Sequence, residues 1–344
     1  MIDIKNLSLK ELEEWITEKG YEPYRARQIW HWIFKKLSTS FDQMTDLPKS
    51  LRELLNREAD LNPLQLVQTV RSEEDGTEKF LFRLRDGNLI ETVLIPEKEY
   101  FTVCVSSQVG CAMGCRFCFT AKQGFKRNLS ASEIIEQVIQ VRRRMSEPSR
   151  LTNIVFMGMG EPLENYDSVL KAIEVFISNH GMNFSHRRVS VSTCGIVPKI
   201  KRLGEDTNVN LAVSLNATEN KTRSFLMPIN RRYPIEELIS ACRSFPFSNR
   251  RRITFEYVLI DGVNDSDEDA IRLCKLVKGI KCKINLIPFN PCPQIDFSPP
   301  PLERILAFQK ILFERNLTAI IRKSKGKDIM AACGQLSGRY VCGG

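Results

Sequence analysis

The chain has 344 residues, a formal net charge of +9 and 11 cysteines. That length accommodates one large α/β domain with a smaller appendage, and no apolar run is long enough to span a membrane. The opening residues, MIDIKNLSLKELEEW, mix charges and carry no apolar secretory segment. The cysteines are therefore expected to work as reduced thiols in a cytoplasmic protein, serving metals or redox chemistry. Basic residues come in knots at 142–144, 187–188, 199–202, 231–232, 250–252 and 323–327. Each knot alone is ordinarily a solvated surface; the overall excess leans toward a polyanionic substrate held through phosphate contacts.

Residues 1–60 read as a small helical module. Ser8 and Glu11 form a capping box ahead of Leu9, Leu12, Trp15 and Ile16. After Pro23, Ile29, Trp30, Ile33 and Phe34 share one helical face, flanked by Arg25, Arg27, Lys35 and Lys36. A third helix follows Pro48 through Leu51, Leu54 and Leu55. Such a module with a basic rim suits either gripping RNA or packing on the main domain.

Residues 61–99 form a β-hairpin extension. Phe80, Phe82 and Leu84 alternate, Asp86-Gly87 supplies the turn, and a return strand covers 88–95. Glu91 shares a face of that strand with Leu89, Val93 and Ile95. A desolvated acid there is either a proton acceptor with a raised pKa or the partner of a neighbouring Arg, and the pattern alone leaves both readings open.

From residue 100 to 344 strands alternate with amphipathic helices. Strands are expected near 101–106, 152–157, 187–193, 209–215, 252–259, 282–287 and 317–321. Helices are expected at 130–144, 167–178, 234–242, 267–277 and 301–313. Repeated βα units imply an α/β fold with a parallel sheet, closing into a partial (β/α)6 barrel. The loop after the first barrel strand then lies on the rim where such barrels carry their chemistry.

That loop contains Cys111, Cys115 and Cys118 in CAMGCRFC. A [4Fe–4S] cluster is ordinarily held by four thiolates, so three leave one iron open to chelate the amino and carboxylate groups of S-adenosylmethionine. Two blander readings compete. Structural zinc usually takes a second CxxC pair, which is missing here, and isolated thiols are often core residues. One strand further on, MGMGEP offers Gly160 for close backbone approach and Glu161 as acceptor for an ammonium group. Ser192, Ser214 and Asn290 are polar residues at the ends of later strands, suited to hydrogen-bonding a ribose or carboxylate.

The segments CVSSQVGC, CRFCFTAKQGFKRNLSASEI, MGMGEPLEN, VSTCGIVP, LAVSLNA, PFNP and AACGQL together resemble the RlmN/Cfr family of radical S-adenosylmethionine RNA methyltransferases. The similarity spans essentially the whole chain, and the longest motifs favour the members acting on adenine carbon-2. The resemblance implies a radical S-adenosylmethionine barrel in which Cys111, Cys115 and Cys118 bind the [4Fe–4S] cluster. It implies that Gly160, Glu161, Ser192, Ser214, Leu215, Asn216 and Asn290 hold S-adenosylmethionine; relatives carry His at the position of Asn216, where a backbone contact is expected. Cys333 would carry the methyl group, Cys104 would resolve the Cys333–RNA adduct by forming a disulfide, and Glu91 would accept the carbon-2 proton. Two S-adenosylmethionine molecules would be consumed per methyl group delivered. The implied partners are 23S rRNA and tRNA as substrates and a flavodoxin-type electron donor, with the enzyme a monomer. Rival expectations are methylation at carbon-8 of the same adenine, and a non-catalytic RNA-binding protein with a structural zinc or iron–sulfur centre.

Overall fold

The computed structural model describes residues 1–246 and 251–338, so Arg250 of the basic knot at 250–252 lies outside the described residues. Ten strands join one sheet in strict chain order. They are β1 (Gln65–Arg71), β2 (Glu78–Arg83), β3 (Leu89–Pro96), β4 (Phe101–Cys104), β5 (Leu151–Phe156), β6 (Val189–Thr193), β7 (Asn210–Ser214), β8 (Ile253–Leu259), β9 (Cys282–Pro288) and β10 (Ala319–Ile321). Strands β1 to β4 pair antiparallel, and β4 to β10 pair parallel. Right-handed βα crossovers in unbroken order place the connecting helices on one side, which curls the sheet toward a barrel. Phe156, Ser192, Ser214, Glu256 and Ile287, from five neighbouring strands, accordingly line one cavity. The terminal strands β1 and β10 remain unpaired with each other, so the barrel is open.

The helices follow from caps and apolar stripes. In the N-terminal module, α1 (Leu9–Glu18) opens on the Ser8/Glu11 capping box, and α2 (Tyr24–Phe34) and α3 (Lys49–Glu58) bury the apolar positions read from the sequence. The core helix α4 (Ala131–Arg144) starts on a second capping box, Ser130 with Glu133. Its buried Gln137 accepts from Thr92 Oγ1 and the Ser106 N–H, both at 2.8 Å, and donates to the Ser106 carbonyl at 3.0 Å. One amide thus fixes the helix, β3 and the chain entering the cysteine loop. The barrel continues through α5 (Tyr166–Ile177), α6 (Val197–Asp206), α7 (Asn220–Leu226), α8 (Ile235–Arg243), α9 (Asp267–Leu276) and α10 (Leu302–Glu314).

Several elements depart from the sequence expectation, three of them in or beside the main sheet. Strand β1 adds a third antiparallel member to the expected hairpin, pairing with β2, while β3 lies between β2 and β4, so Glu91 stands on an interior strand buried on both faces. Strand β1 itself is half exposed and rich in Gln and Thr, which leaves no apolar alternation to read. Helices α6 and α7 were also not expected. The first has Pro198 in its opening turn and Gly204 near its end, and the second is only about two turns long.

A buried ion pair joins the N-terminal module to the barrel. Lys5 Nζ contacts Glu136 of α4, with side chains 2% and 1% exposed. Arg143 closes the seam, donating to the Leu37 carbonyl at 3.0 Å and the Ser38 carbonyl at 2.7 Å. The knot at 142–144 is therefore largely structural: Arg143 is spent on the seam, and Arg142 stacks on the Phe184 ring at 4.4 Å. Burial pushes the Lys5 pKa down while Glu136 holds it up. Lys5→Met leaves a buried carboxylate short of its partner, so it is expected to destabilise the fold by about 3 kcal/mol in urea unfolding. A loss under about 0.5 kcal/mol, the usual range for surface changes, would show that the pair does not hold the seam.

Candidate active site

The turn after β5 sets the first wall of the cavity. Gly160 has φ +100°, and a Cβ there would lie 2.5 Å from Gln108 Cβ. Only glycine lets the turn press against the strand that precedes the cysteines. The Gln108 side chain accepts from the Glu161 N–H at 2.9 Å. Glu161, 4% exposed, accepts the Leu163 N–H at 3.0 Å on Oε1 and the Cys194 N–H at 2.7 Å on Oε2. Burial drives its pKa up, and these bonds pull in the opposite direction without cancelling the rise. Each oxygen retains a lone pair, and the residue lines the cavity.

The cysteine loop forms the next wall. Short strands Gln108–Gly110 and Phe125–Asn128 pair antiparallel and close its neck. The Arg116 N–H donates to the Leu226 carbonyl at 2.9 Å, tying the loop to α7. Cys111, Cys115 and Cys118 all line the cavity. Burial raises all three thiols, Cys111 to about 12, and Cys115 also feels the other two. Among the described residues no three His, Cys, Asp or Glu converge on a single-ion position. Ligands of one tetrahedral zinc must all reach a common centre at about 2.3 Å, whereas cluster ligands take separate irons.

A C-terminal strap crosses the cavity and presents Cys333. It has little regular structure and is held by bonds from distant elements. The Phe119 N–H donates to the Gly334 carbonyl and Thr120 Oγ1 to the Leu336 carbonyl, both at 2.7 Å. Asn290 Nδ2 donates to the Cys333 carbonyl at 3.1 Å, and Gln335 Nε2 to the Pro291 carbonyl at 2.7 Å. Cys333 is the one exposed cysteine among the described residues, and it lines the cavity. Desolvation first and Glu256 second push its pKa up to about 11. Cys104, at the end of β4, is 7% exposed; burial first and Cys333 second push its pKa far up. Cys333 is the charge that Cys104 feels most, although the two thiols lie far apart in the chain. Both are free, and no disulfide forms among the described residues.

Glu91 sits elsewhere. It is fully buried, and it does not line the cavity. Its Oε1 ion-pairs with Lys79 Nζ at 3.1 Å, at an angle too poor for a hydrogen bond. Its Oε2 accepts the N–H groups of Ser337 at 2.6 Å and Gly338 at 3.0 Å, while Lys79 donates to the Met330 carbonyl at 3.1 Å. The pair therefore clamps the strap on both sides of Cys333. The partner anticipated as an Arg is a Lys.

The remaining expected residues divide. Ser192, Ser214 and Asn290 line the cavity, and Asn290 Oδ1 is buried with no partner. Asn216 lines it too, but its side chain is spent on the Val258 N–H at 2.8 Å and Met227 Sδ at 3.2 Å. Its carbonyl accepts from Asn264 at 2.8 Å. Leu215 faces away, its N–H bonded to the Glu256 carbonyl and its carbonyl to Arg223. Arg223, fully buried, also donates to the carbonyls of Cys194 at 2.7 Å and Ser214 at 3.2 Å. It locks the turns after β6 and β7, yet a lone Arg in a non-periodic stretch carries no sequence signal. Glu256 was equally overlooked, although an acid between apolar neighbours of a barrel strand is the pattern that drew attention to Glu91.

Residues 105–274 match the Radical SAM superfamily, and residues 2–61 match the ribosomal RNA large subunit methyltransferase N-terminal domain. The dual-specificity RNA methyltransferase RlmN of Syntrophus aciditrophicus is 52% identical over 99% of this chain and 97% of its own length. The chain belongs to the RlmN family of radical S-adenosylmethionine RNA methyltransferases. The RlmN of Syntrophobacter fumaroxidans is 51% identical over 98% of each chain. A radical SAM methyltransferase from Sphaerobacter thermophilus, solved as a crystal structure, superposes with a TM-score of 0.94 at 50% identity, covering 98% of this chain and all of that one. Both halves of the RlmN architecture, helical module and mostly parallel sheet, are therefore present. Among the described residues no helix is long and apolar enough to cross a membrane.

Proposed function

We propose that this chain methylates carbon-2 of adenine in 23S rRNA and in tRNA, with Cys333 as methyl carrier and Cys104 as its resolving partner. The observation that carries this reading is the strap, which holds Cys333 over the cavity lined by the three loop cysteines and Glu161, beside the free Cys104. The residues present fit the implied groups. Three thiols share one wall without meeting at a single-ion position, and Asn290 Oδ1 is a buried acceptor awaiting a donor. Cys111, Cys115 and Cys118 would hold a [4Fe–4S] cluster, which with S-adenosylmethionine would supply the carbon radical that an electron-poor ring carbon requires.

The chain's own residues do the rest. Glu161 accepts the ammonium of S-adenosylmethionine, and Asn290 Oδ1 accepts from its adenine amine. Cys333, as thiolate, takes a methyl group from the sulfonium by displacement, releasing S-adenosylhomocysteine. That methyl would give one hydrogen atom to the cofactor-derived carbon radical, the Cys333 methylene radical would add to carbon-2 of the RNA adenine, and the adduct would pass one electron back to the cluster. Glu91 accepts the carbon-2 proton, which requires the clamp on Ser337 and Gly338 to open as RNA enters. Cys104 attacks the Cys333 sulfur, forming a disulfide and freeing methylated RNA. Two electrons from a reductant, of flavodoxin type, reopen that disulfide before the next round. The enzyme acts as a monomer in the cytoplasm.

Mass spectrometry of digested rRNA and tRNA from cells with and without the gene tests this directly. Loss of 2-methyladenosine in the deletion supports it; intact 2-methyladenosine with missing 8-methyladenosine transfers the assignment to carbon-8. Glu161→Ala is expected to weaken S-adenosylmethionine binding by about 10-fold or more, the scale of a charge-assisted hydrogen bond. Anaerobic equilibrium dialysis measures this, and an unchanged affinity removes Glu161 from the ammonium site.

A further inference from the structure

Glu256 stands on the inward face of β8 with Val258, and both line the cavity. The residue is 8% exposed, and its Oε2 accepts the Ser192 hydroxyl at 2.7 Å. The Ser214 hydroxyl faces its carboxylate from the neighbouring strand. No cation lies within ion-pair distance of it among the described residues, and Arg322 acts only from further off. A buried carboxylate offers about four acceptor sites, and two hydroxyls leave it underfilled. Leaving that capacity unused in a dry site is costly, so the cavity's occupant is expected to bring donors.

Strand order says which part of the occupant arrives there. Glu161 follows β5 and Asn290 follows β9, at opposite ends of the cavity-lining run. Between them Ser192, Ser214 and Glu256 come from β6, β7 and β8. An S-adenosylmethionine molecule with its ammonium at Glu161 and its adenine at Asn290 must lay its ribose across the middle strands. A vicinal diol is a pair of donors, and an inward carboxylate backed by two hydroxyls is a suitable receptor for it.

We propose that Glu256 is the ribose-diol receptor of this cavity, with Ser192 orienting its carboxylate. The inference rests on S-adenosylmethionine being the occupant. Its test uses binding to the cluster-loaded enzyme under anaerobic conditions, with S-adenosylmethionine and its 2′,3′-dideoxy analogue as probes. Glu256→Gln is expected to weaken S-adenosylmethionine about 10-fold or more, while changing binding of the dideoxy analogue less than about twofold. Ser192→Ala is expected to show the same selectivity with a smaller loss. Wild-type protein itself must prefer S-adenosylmethionine to the dideoxy analogue, which keeps the test alive should the Glu256 variant misfold. Equal weakening of both probes, or no weakening, overturns the diol assignment while leaving S-adenosylmethionine as occupant. Unchanged binding combined with lost methylation of Cys333 would instead make Glu256 the base for that thiol, and would equally overturn it. If wild-type protein binds neither probe, the functional reading itself fails.

Discussion

Cys104→Ala protein is expected to accumulate a covalent adduct with its RNA and to stop after one turnover. Once the Cys333 methylene has joined carbon-2, the carbon–sulfur bond has no other route to cleavage than attack on sulfur by a second thiol. Cys104 is the thiol the fold supplies, placed near Cys333 and electrostatically coupled to it. Of the other free cysteines, Cys194 also lines the cavity, but the charges it faces are Glu161, Cys115 and Cys111. The substitution removes one buried sulfur and the packing contacts it makes beside the Met157 backbone. Those losses amount to about 1–3 kcal/mol, so the fold is expected to survive. Denaturing electrophoresis of labelled RNA with the variant should show a band retained with protein and released by nuclease. Free methylated RNA at normal turnover would remove the resolving role.

Cys333→Ala is expected to abolish methylation, by at least about a thousandfold, the scale seen when a covalent nucleophile is deleted. Carbon-2 of adenine lies between two ring nitrogens and is too electron-poor to attack a sulfonium methyl. With no carrier, the methyl group has no path to it. Cys333 is exposed into the cavity, while the strap is held mainly through backbone carbonyls at residues 330, 333, 334 and 336, so the variant keeps its anchors. Peptide mass spectrometry should find an added methyl on Cys333 in wild-type protein and none at position 333 in the variant. Full activity in the variant would rule out the carrier role.

Much of this was legible in the chain, for identifiable reasons. The parallel strands are short apolar runs bounded by turn residues, so 252–259 was read where β8 (Ile253–Leu259) lies and 282–287 where β9 lies. The capping box of α1 is local chemistry, visible within four residues, and the structure shows the same motif opening α4. What stayed hidden depends on distance along the chain. The strap lacks a periodic pattern because its position is set by side chains such as Glu91, which meets Ser337 across 246 residues. Glu91 was singled out for proton transfer, yet its clamp on the strap could not be inferred from strand alternation. Similarly, Leu215 sits in the turn that the family resemblance assigns to the cofactor, but its polar groups are bonded within the protein.

Lys79 and Glu91 give that clamp a consequence for the order of events. While both bracket the strap, Cys333 is fixed over the cavity, which suits methyl transfer from S-adenosylmethionine. On the proposed reading the clamp opens as RNA enters, which frees Glu91 for the carbon-2 proton and leaves the strap loose enough for Cys333 to turn toward Cys104.

Iron and acid-labile sulfide determination on anaerobically purified protein tests the account at its root. About four irons and four sulfides per chain are expected, the content of one [4Fe–4S] cluster, and Cys115→Ala should lose them while its helices and sheet remain by circular dichroism. A colourless protein containing zinc in place of iron, still able to bind RNA, would contradict the account.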